Sequence, residues 1–451
     1  MNVLEDKRMV IAAAIVFLLL FTFFYPQFYH YPDEHSYLRN SFLLASGGMI
    51  IENPLYSYGY AFNGTDFVSA YPPLHSLFIM PFSLISWNLA FLSGIVLHLL
   101  NLFIFYKILQ RLKLPVGYSL LYLFYPSIAL MSTTLQAELS SMTCVLLATF
   151  FYLKNGKKNS LVSGFFAGLC VLARYSNALI AGAFLMAIFW KNREKAVPFI
   201  IGTIPSAIAV LAYNAWLYGS IFTTGYSILG YTTFVFEDLW IKLPYYVLLL
   251  SIAYPLMFFA MFFAKNKTRN VTVLASIFFL LLWSSYFFFY ARFRIEDLVI
   301  ALDKFAPVVV LMLFAYAEFL ERIRKKFGFV QVHLNRIAAF LLIVLVAGTV
   351  VSMSEHKEKQ DLKFEVFKKI YSETGEGALI IVDEEIASLS TNFKETPFTG
   401  MFFMESFGDR KLASAQEKYE QYITDPENTF FMRIWMSPNI EVEITPYTEK
   451  T

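Results

Sequence analysis

The residues with the clearest chemical potential are Asp33 and Glu34, adjacent in Tyr31-Pro32-Asp33-Glu34-His35 where the first long apolar run, 9–28, returns to water. Ionised groups beside hydrocarbon are costly and are usually kept for a function, so a carboxylate pair at the mouth of a membrane segment points to chemistry at the bilayer surface. A carboxylate there can take a proton from a hydroxyl. Its natural complement is a cation for an anionic leaving group, with Arg favoured for its forked donors. Arg292, Arg294 and Lys304 lie late in the chain, and Arg174 stands alone between two apolar stretches.

These residues must be positioned by membrane helices. Hydrophobic residues make up 57% of the 451 and charged residues 16%, with a mean hydropathy of +0.55, which indicates a polytopic membrane protein. Aromatic residues are abundant, with 49 Phe and 28 Tyr, as interfaces and greasy grooves require. The net charge of +2 gives no support to nucleic-acid binding, and no glycine-rich phosphate loop or internal repeat occurs. Cys144 and Cys170, the two cysteines, both sit in apolar runs, so neither a disulfide framework nor a zinc site is expected. The first segment lacks a small-residue cleavage site and is expected to be a retained helix.

Basic clusters fall at 107–113, 154–158, 191–195, 265–269 and 322–326, and short loops rich in Lys and Arg stay in the cytoplasm. With the N-terminus inside, spans are expected at 9–28, 88–109, 116–132, 136–153, 197–216, 243–264, 271–290, 305–319 and 337–353. The stretch 160–190 has halves too short for full crossings and reads as a half-inserted hairpin returning to the cytoplasmic face. The loops 29–71, 218–242 and 291–306 then share the outer side. A helix over 35–49 is expected to lie on the membrane with Leu38, Phe42 and Leu43 facing down.

After residue 353 charged helices at 362–372 and 411–423 alternate with β-type runs at 378–382 and 429–435, which suggests a small α/β domain, 354–451, outside the membrane. The expected fold is therefore an all-α polytopic bundle, 1–353, carrying a C-terminal α/β extracytoplasmic domain. Its acidic clusters, such as Asp383-Glu384-Glu385, read as a solvated face.

A further set of motifs keeps a definite order. Tyr71-Pro72-Pro73-Leu74-His75 follows the acidic pair, then Tyr125-Pro126, Glu138, Leu172-Ala173-Arg174, Tyr213-Asn214, and Thr224-Gly225-Tyr226. This order, over about residues 9–320, resembles the GT-C glycosyltransferases that use polyprenyl-phosphate sugars, closest to the protein mannosyltransferase and aminoarabinose transferase branch. The resemblance implies an inverting transferase that moves a sugar, a hexose by family frequency, from a polyprenyl-phosphate donor to a lipid, glycan or protein hydroxyl on the extracytoplasmic side. It implies Asp33 as the acidic residue at the reacting sugar, Glu34 completing the pair, Glu138 as the second acidic position, and a basic residue among Arg292, Arg294 and Lys304 at the carrier phosphate. No cofactor is required on this reading, although Asp33 and Glu34 together are able to hold a divalent metal.

Plainer explanations stand beside these. Asp33 after Pro32 fits a helix cap. Arg292 and Arg294 fit snorkelling to headgroups. Arg174 either faces the polar cavity as a phosphate contact or pairs structurally with Glu138. His75 and Tyr71, candidates for the cavity wall, also fit a structural turn set by Pro72-Pro73. Asn63-Gly64-Thr65 matches a glycan acceptor pattern of low specificity. A secondary transporter or flippase is the rival from another class, favoured only by the hairpin carrying Arg174.

Overall fold

The computed structural model describes residues 3–29, 32–51, 59–230, 233–286, 302–374, 379–383, 401–404, 429–435 and 441–446. Helices dominate. In order they are α1 (Lys7–Phe23), α2 (Pro32–Ala45), α3 (Leu74–Ser83), α4 (Leu92–Leu112), α5 (Ser119–Leu123), α6 (Pro126–Met131), α7 (Glu138–Tyr152), α8 (Lys157–Ala173), α9 (Ala178–Lys191), α10 (Arg193–Tyr218), α11 (Gly225–Ile228), α12 (Leu239–Ala253), α13 (Met257–Phe263) and α14 (Arg269–Ser285). Two long helices follow, Ala306–Lys326 and Gly328–Thr374. Between α2 and α3 lies a small antiparallel sheet of β1 (Ile50–Ile51), β2 (Tyr60–Phe62) and β3 (Phe67–Ser69), with β3 central and Ile50 opposite Val68, Tyr60 opposite Ser69.

By length and composition, Asn88–Leu112 and Arg193–Tyr218 are each able to cross a membrane, and Phe236–Ile252 with Met257–Phe263 forms a third candidate bent by 88°. Several expected spans are interrupted for identifiable reasons. The stretch 116–132 is split at Tyr125, whose extended backbone precedes Pro126 at the first turn of α6, because a residue before proline is driven out of the helical region. The stretch 243–264 breaks at Tyr254-Pro255-Leu256, where Leu256 adopts a left-handed φ of 64°.

The α8 arm of the hairpin is longer than expected: it has 17 residues, about 25 Å of helix, and the tip at Arg174 meets Asp33. One expectation is corrected. The helix after the first span does not lie on the membrane by one face. All residues from Glu34 to Ser41 are buried, and α2 is bolted to α3 by Ser41 Oγ to Ser83 Oγ at 2.7 Å and by Ser76 Oγ donating to the Tyr37 carbonyl at 3.1 Å.

What brings Arg174 to its place is the packing of α8 on α10. A Cβ on Gly202 of α10 would stand 1.9 Å from the Leu161 carbonyl of α8, a clash with backbone that only separation of the helices relieves. Gly202→Ala is expected to destabilise the protein by about 1–3 kcal/mol, the usual range for overpacking, and a thermal melt of purified protein measures it.

Toward the C-terminus, β4 (Leu379–Asp383), β5 (Met401–Met404), β6 (Thr429–Trp435) and β7 (Glu441–Pro446) form a sheet in the order β5-β4-β6-β7, parallel except for β7. The β-type runs 378–382 and 429–435 correspond to β4 and β6. The expected span 337–353 and charged helix 362–372 are one continuous helix, Gly328–Thr374, so position 354 falls inside a helix. The expected helix 411–423 lies outside the described residues.

Candidate active site

The carboxylate pair divides its work. Asp33 Oδ1 accepts a hydrogen bond from the Tyr71 hydroxyl at 2.8 Å, while its Oδ2 faces Arg174 Nη2 at 3.5 Å. Neither contact is with a helix amide, so capping does not account for Asp33. Its side chain keeps 29% exposure, against 1% for Glu138, so solvent reaches Asp33 far more readily.

Glu34 is wholly buried and turns away from that opening. Its Oε2 accepts the backbone N–H of Leu135 at 3.0 Å, and His75 Nε2 donates to the carbonyl of the same residue at 2.8 Å. Burial pushes the His75 pKa down to about 4, the Leu135 contact pulling the other way, so the ring stays neutral at physiological pH. Glu34 and His75 thus clamp both backbone groups of Leu135, three residues ahead of Glu138. Among the described residues no group of three or more His, Cys, Asp or Glu side chains is placed to hold a metal ion.

Glu138 opens α7 and is the hub of the cluster. Its Oε1 is bonded to Arg174 Nη1 and lies 3.3 Å from Lys304 Nζ. Lys304 in turn sits 3.0 Å from Asp303 Oδ2. Arg174 is held at the hairpin tip because Asn177 Nδ2 donates to the Cys170 carbonyl at 3.0 Å and to Ser141 Oγ at 2.9 Å, and Tyr175 OH to Asn214 Oδ1 at 2.8 Å. Arg174 therefore pairs with Glu138, as its structural alternative has it, and also touches Asp33. Among the described residues the cluster comprises three carboxylates, Asp33, Glu138 and Asp303, against two cations.

Tyr71, Asp33, Arg174, Glu138 and Lys304 are brought together as the sequence suggests. Arg292 and Arg294 lie outside the described residues. Two groups escaped notice in the sequence. Tyr37, one helical turn after Asp33 on the same face of α2, buries a hydroxyl that has no hydrogen-bond partner among the described residues, as do Glu138 Oε2 and Arg174 Nε. Its i, i+4 spacing from Asp33 was the available signal. Asp303, beside Lys304, was the other.

Burial pushes the Asp303 carboxyl up to about 6, with Lys304 opposing and Glu138 reinforcing. For Lys304, burial and Arg174 oppose the charge, yet Asp303, Glu138 and Asp33 hold its pKa above the ordinary lysine value. The sign follows: below pH 6 Asp303 is protonated and neutral, the cluster gains a positive charge, and an anion binds better; above it that advantage is lost. An anionic ligand at Lys304 is expected to bind roughly tenfold more tightly at pH 5 than at pH 7.5. Asp303→Asn is expected to flatten the profile at the tighter value, checked by titrating a non-titrating phosphodiester across that pH range.

Aromatic contacts wall the site. Tyr71 stands edge-on to Tyr226 at 5.7 Å, and Tyr37 stands edge-on to His75 at 4.9 Å. Tyr213 OH donates to the Tyr71 carbonyl and Tyr218 OH to the Ser69 carbonyl, each at 2.7 Å. Gly225 allows the Tyr226 segment to approach: a Cβ there would be 2.2 Å from Ala70 Cα. Asn63 is used in a turn, its Oδ1 accepting from the Asp66 N–H at 2.8 Å and its Nδ2 donating to the Leu217 carbonyl at 2.8 Å.

No protein-family model and no curated protein matches the chain. Solved structures do. The crystal structure of ArnT from Cupriavidus metallidurans bound to undecaprenyl phosphate superposes with a TM-score of 0.62 at 10% identity, covering 98% of this chain and 99% of that one. The apo oligosaccharyltransferase of Archaeoglobus fulgidus superposes with a TM-score of 0.55 at 11% identity, covering 95% of this chain and 70% of that one. These likenesses show the GT-C fold that the order of motifs implies.

Proposed function

We propose that the protein is a membrane glycosyltransferase that moves a sugar, a hexose by default, from a polyprenyl-phosphate donor to a hydroxyl of a lipid, glycan or protein acceptor on the extracytoplasmic side. The observation that carries this is the meeting of one reachable carboxylate, Asp33, with two cations, Arg174 and Lys304, around the buried hub Glu138. The structural likeness to ArnT, crystallised with undecaprenyl phosphate bound, supports the donor class.

In this reaction Asp33 Oδ2 takes the proton of the acceptor hydroxyl as its oxygen bonds to the anomeric carbon. The bond from that carbon to the phosphate oxygen breaks with its electron pair on the phosphate, giving inversion. Tyr71 keeps Oδ1 fixed, so the proton-taking oxygen is the one more loosely engaged. Arg174 and Lys304 stabilise the departing phosphate, with Glu138 orienting both. A lone phosphate needs no metal on this scheme. The C-terminal sheet is assigned to acceptor contact or to covering the cavity, by its place after the last membrane helix.

The test supplies the purified protein with radiolabelled polyprenyl-phosphate sugars and candidate acceptors. Label appearing on an acceptor hydroxyl with inverted stereochemistry is expected. Flux of labelled lipid across proteoliposomes without any transfer would instead identify a flippase.

A further inference from the structure

At the end of α9 remote from Arg174, 14 residues and about 21 Å along the helix, a second concentration of charge is not used by the transfer chemistry. There α9 packs along α14, and a cavity of about 480 Å³ opens between the helix ends, lined by Lys191, Lys265, Lys267 and Arg269 together with Trp190 and Asn270. A second cavity of about 170 Å³ shares Lys191 and Lys267 and adds Lys154 and Lys195. No carboxylate lines either one. Among the described residues none of these six cations forms an ion pair.

The pocket is built rather than a chance scatter of basic side chains. Glu318, on the helix Ala306–Lys326, accepts the backbone N–H of Lys265 at 3.1 Å and of Asn266 at 2.9 Å, and Asn266 Oδ1 accepts from the N–H and hydroxyl of Thr268 at 3.0 and 2.7 Å. That clamp sets Lys265, Lys267 and Arg269 around the first turn of α14, a 17-residue helix whose N-terminal amides favour an anion. Ordinary positive-inside charges require only that loops be basic. They do not require a clamped loop, a helix start and a cavity wall to share one focus.

The flank of the cavity says what kind of anion. Trp190 is 63% exposed, and Phe189 and Phe263 beside the two chain segments are 47% and 66% exposed, as expected of rings at the boundary between hydrocarbon and headgroups. We propose that this cavity binds the phosphate headgroup of an anionic lipid in the leaflet at the basic loops, its chain lying along Trp190. Phosphate is the shared chemistry, and the apolar flank selects a lipid over a soluble anion.

Native mass spectrometry of the full chain in detergent tests this without reference to any transferase activity. Phosphatidylglycerol is expected to be retained in preference to phosphatidylcholine of equal chain length. The triple variant Lys191→Ala, Lys267→Ala, Arg269→Ala is expected to weaken that retention roughly a hundredfold, since charge-assisted hydrogen bonds are lost. A control with the same charge removed from the same face, Lys107→Ala, Arg111→Ala, Lys113→Ala, is expected to stay within about twofold. Equal loss in both triples would overturn the site in favour of diffuse attraction. Inorganic phosphate displacing the lipid at matched concentration would overturn the lipid assignment. Lys267→Glu, a single change on an exposed side chain, gives the same comparison if the triple variant fails to fold, and an unaltered preference for phosphatidylglycerol in it would refute the proposal.

Discussion

Asp33→Asn is expected to reduce the rate of sugar transfer about a thousandfold, within the range of general-base contributions of 10²–10⁴, while leaving the protein folded. The geometry sets both halves of that expectation. Asn retains an oxygen for the Tyr71 hydroxyl, which now bonds Oδ1 at 2.8 Å, so the local anchor survives. The contact with Arg174 is long at 3.5 Å, and Arg174 keeps Glu138 as its main partner. What vanishes is the proton acceptor. The fall should therefore appear in kcat with donor KM little changed, the pattern of an interaction made in the transition state alone. Transfer persisting at the parental rate in the variant would remove Asp33 from the role of base. Glu34→Gln supplies the contrast: Glu34 is sealed against Leu135, so its substitution should lower the melting temperature more than it lowers the turnover of the surviving protein.

The second large effect is expected at Arg174. Arg174→Met leaves Glu138, 1% exposed, with Lys304 at 3.3 Å as its only remaining ion-pair partner among the described residues. Breaking a buried pair from one side costs about 3–5 kcal/mol, because the surviving charge stays desolvated. Adding Glu138→Gln should recover much of the stability, since an amide needs no counter-charge. It should not recover transfer, because the phosphate has lost a forked donor. A thermal melt and a donor titration on the single and double variants separate the two roles. If the double variant transferred as fast as the parent, Arg174 would be a structural tie alone. Arg174→Lys probes the remaining distinction: the charge persists but cannot serve Glu138 and Asp33 as one planar fork, so donor KM should rise more than stability falls.

The two experiments bear on different parts of the proposed function. Loss of turnover with intact donor binding locates the proton transfer at α2, whereas loss of donor affinity locates the phosphate at the hairpin tip. Asp303 then tunes the second part through pH, since its neutral form relieves the anionic excess around Lys304.

Much of this was legible in the residues alone. The membrane class, the first apolar helix, the prominence of Asp33, and the place of Lys304 before the helix beginning at Ala306 all follow from local features: apolar length, charge adjacent to hydrocarbon, and chain order. The β-type runs near 378–382 and 429–435 likewise announced strands that the C-terminal sheet contains. Interruptions at Pro126 and Pro255 were weaker signals, because a proline in an apolar run ends a helix in one setting and merely bends it in another.

Partnership was beyond local reading. Asp33 and Glu34 are neighbours in sequence, yet one faces the opening and the other the backbone of Leu135, since successive residues on a helix point about 100° apart. Arg174 joins Glu138 across 36 positions and Asp33 across 141, and Lys304 reaches Glu138 across 166. No spacing rule operates over such separations. By itself the sequence determined where hydrocarbon ends and which charges stand at its edge, because burying unpaired charge is costly in any fold. Which of those charges meet was decided by how closely α8 lies on α10 and where the Leu135 clamp sets Glu138, because ion pairing falls off within a few ångströms and only tertiary packing sets distances on that scale.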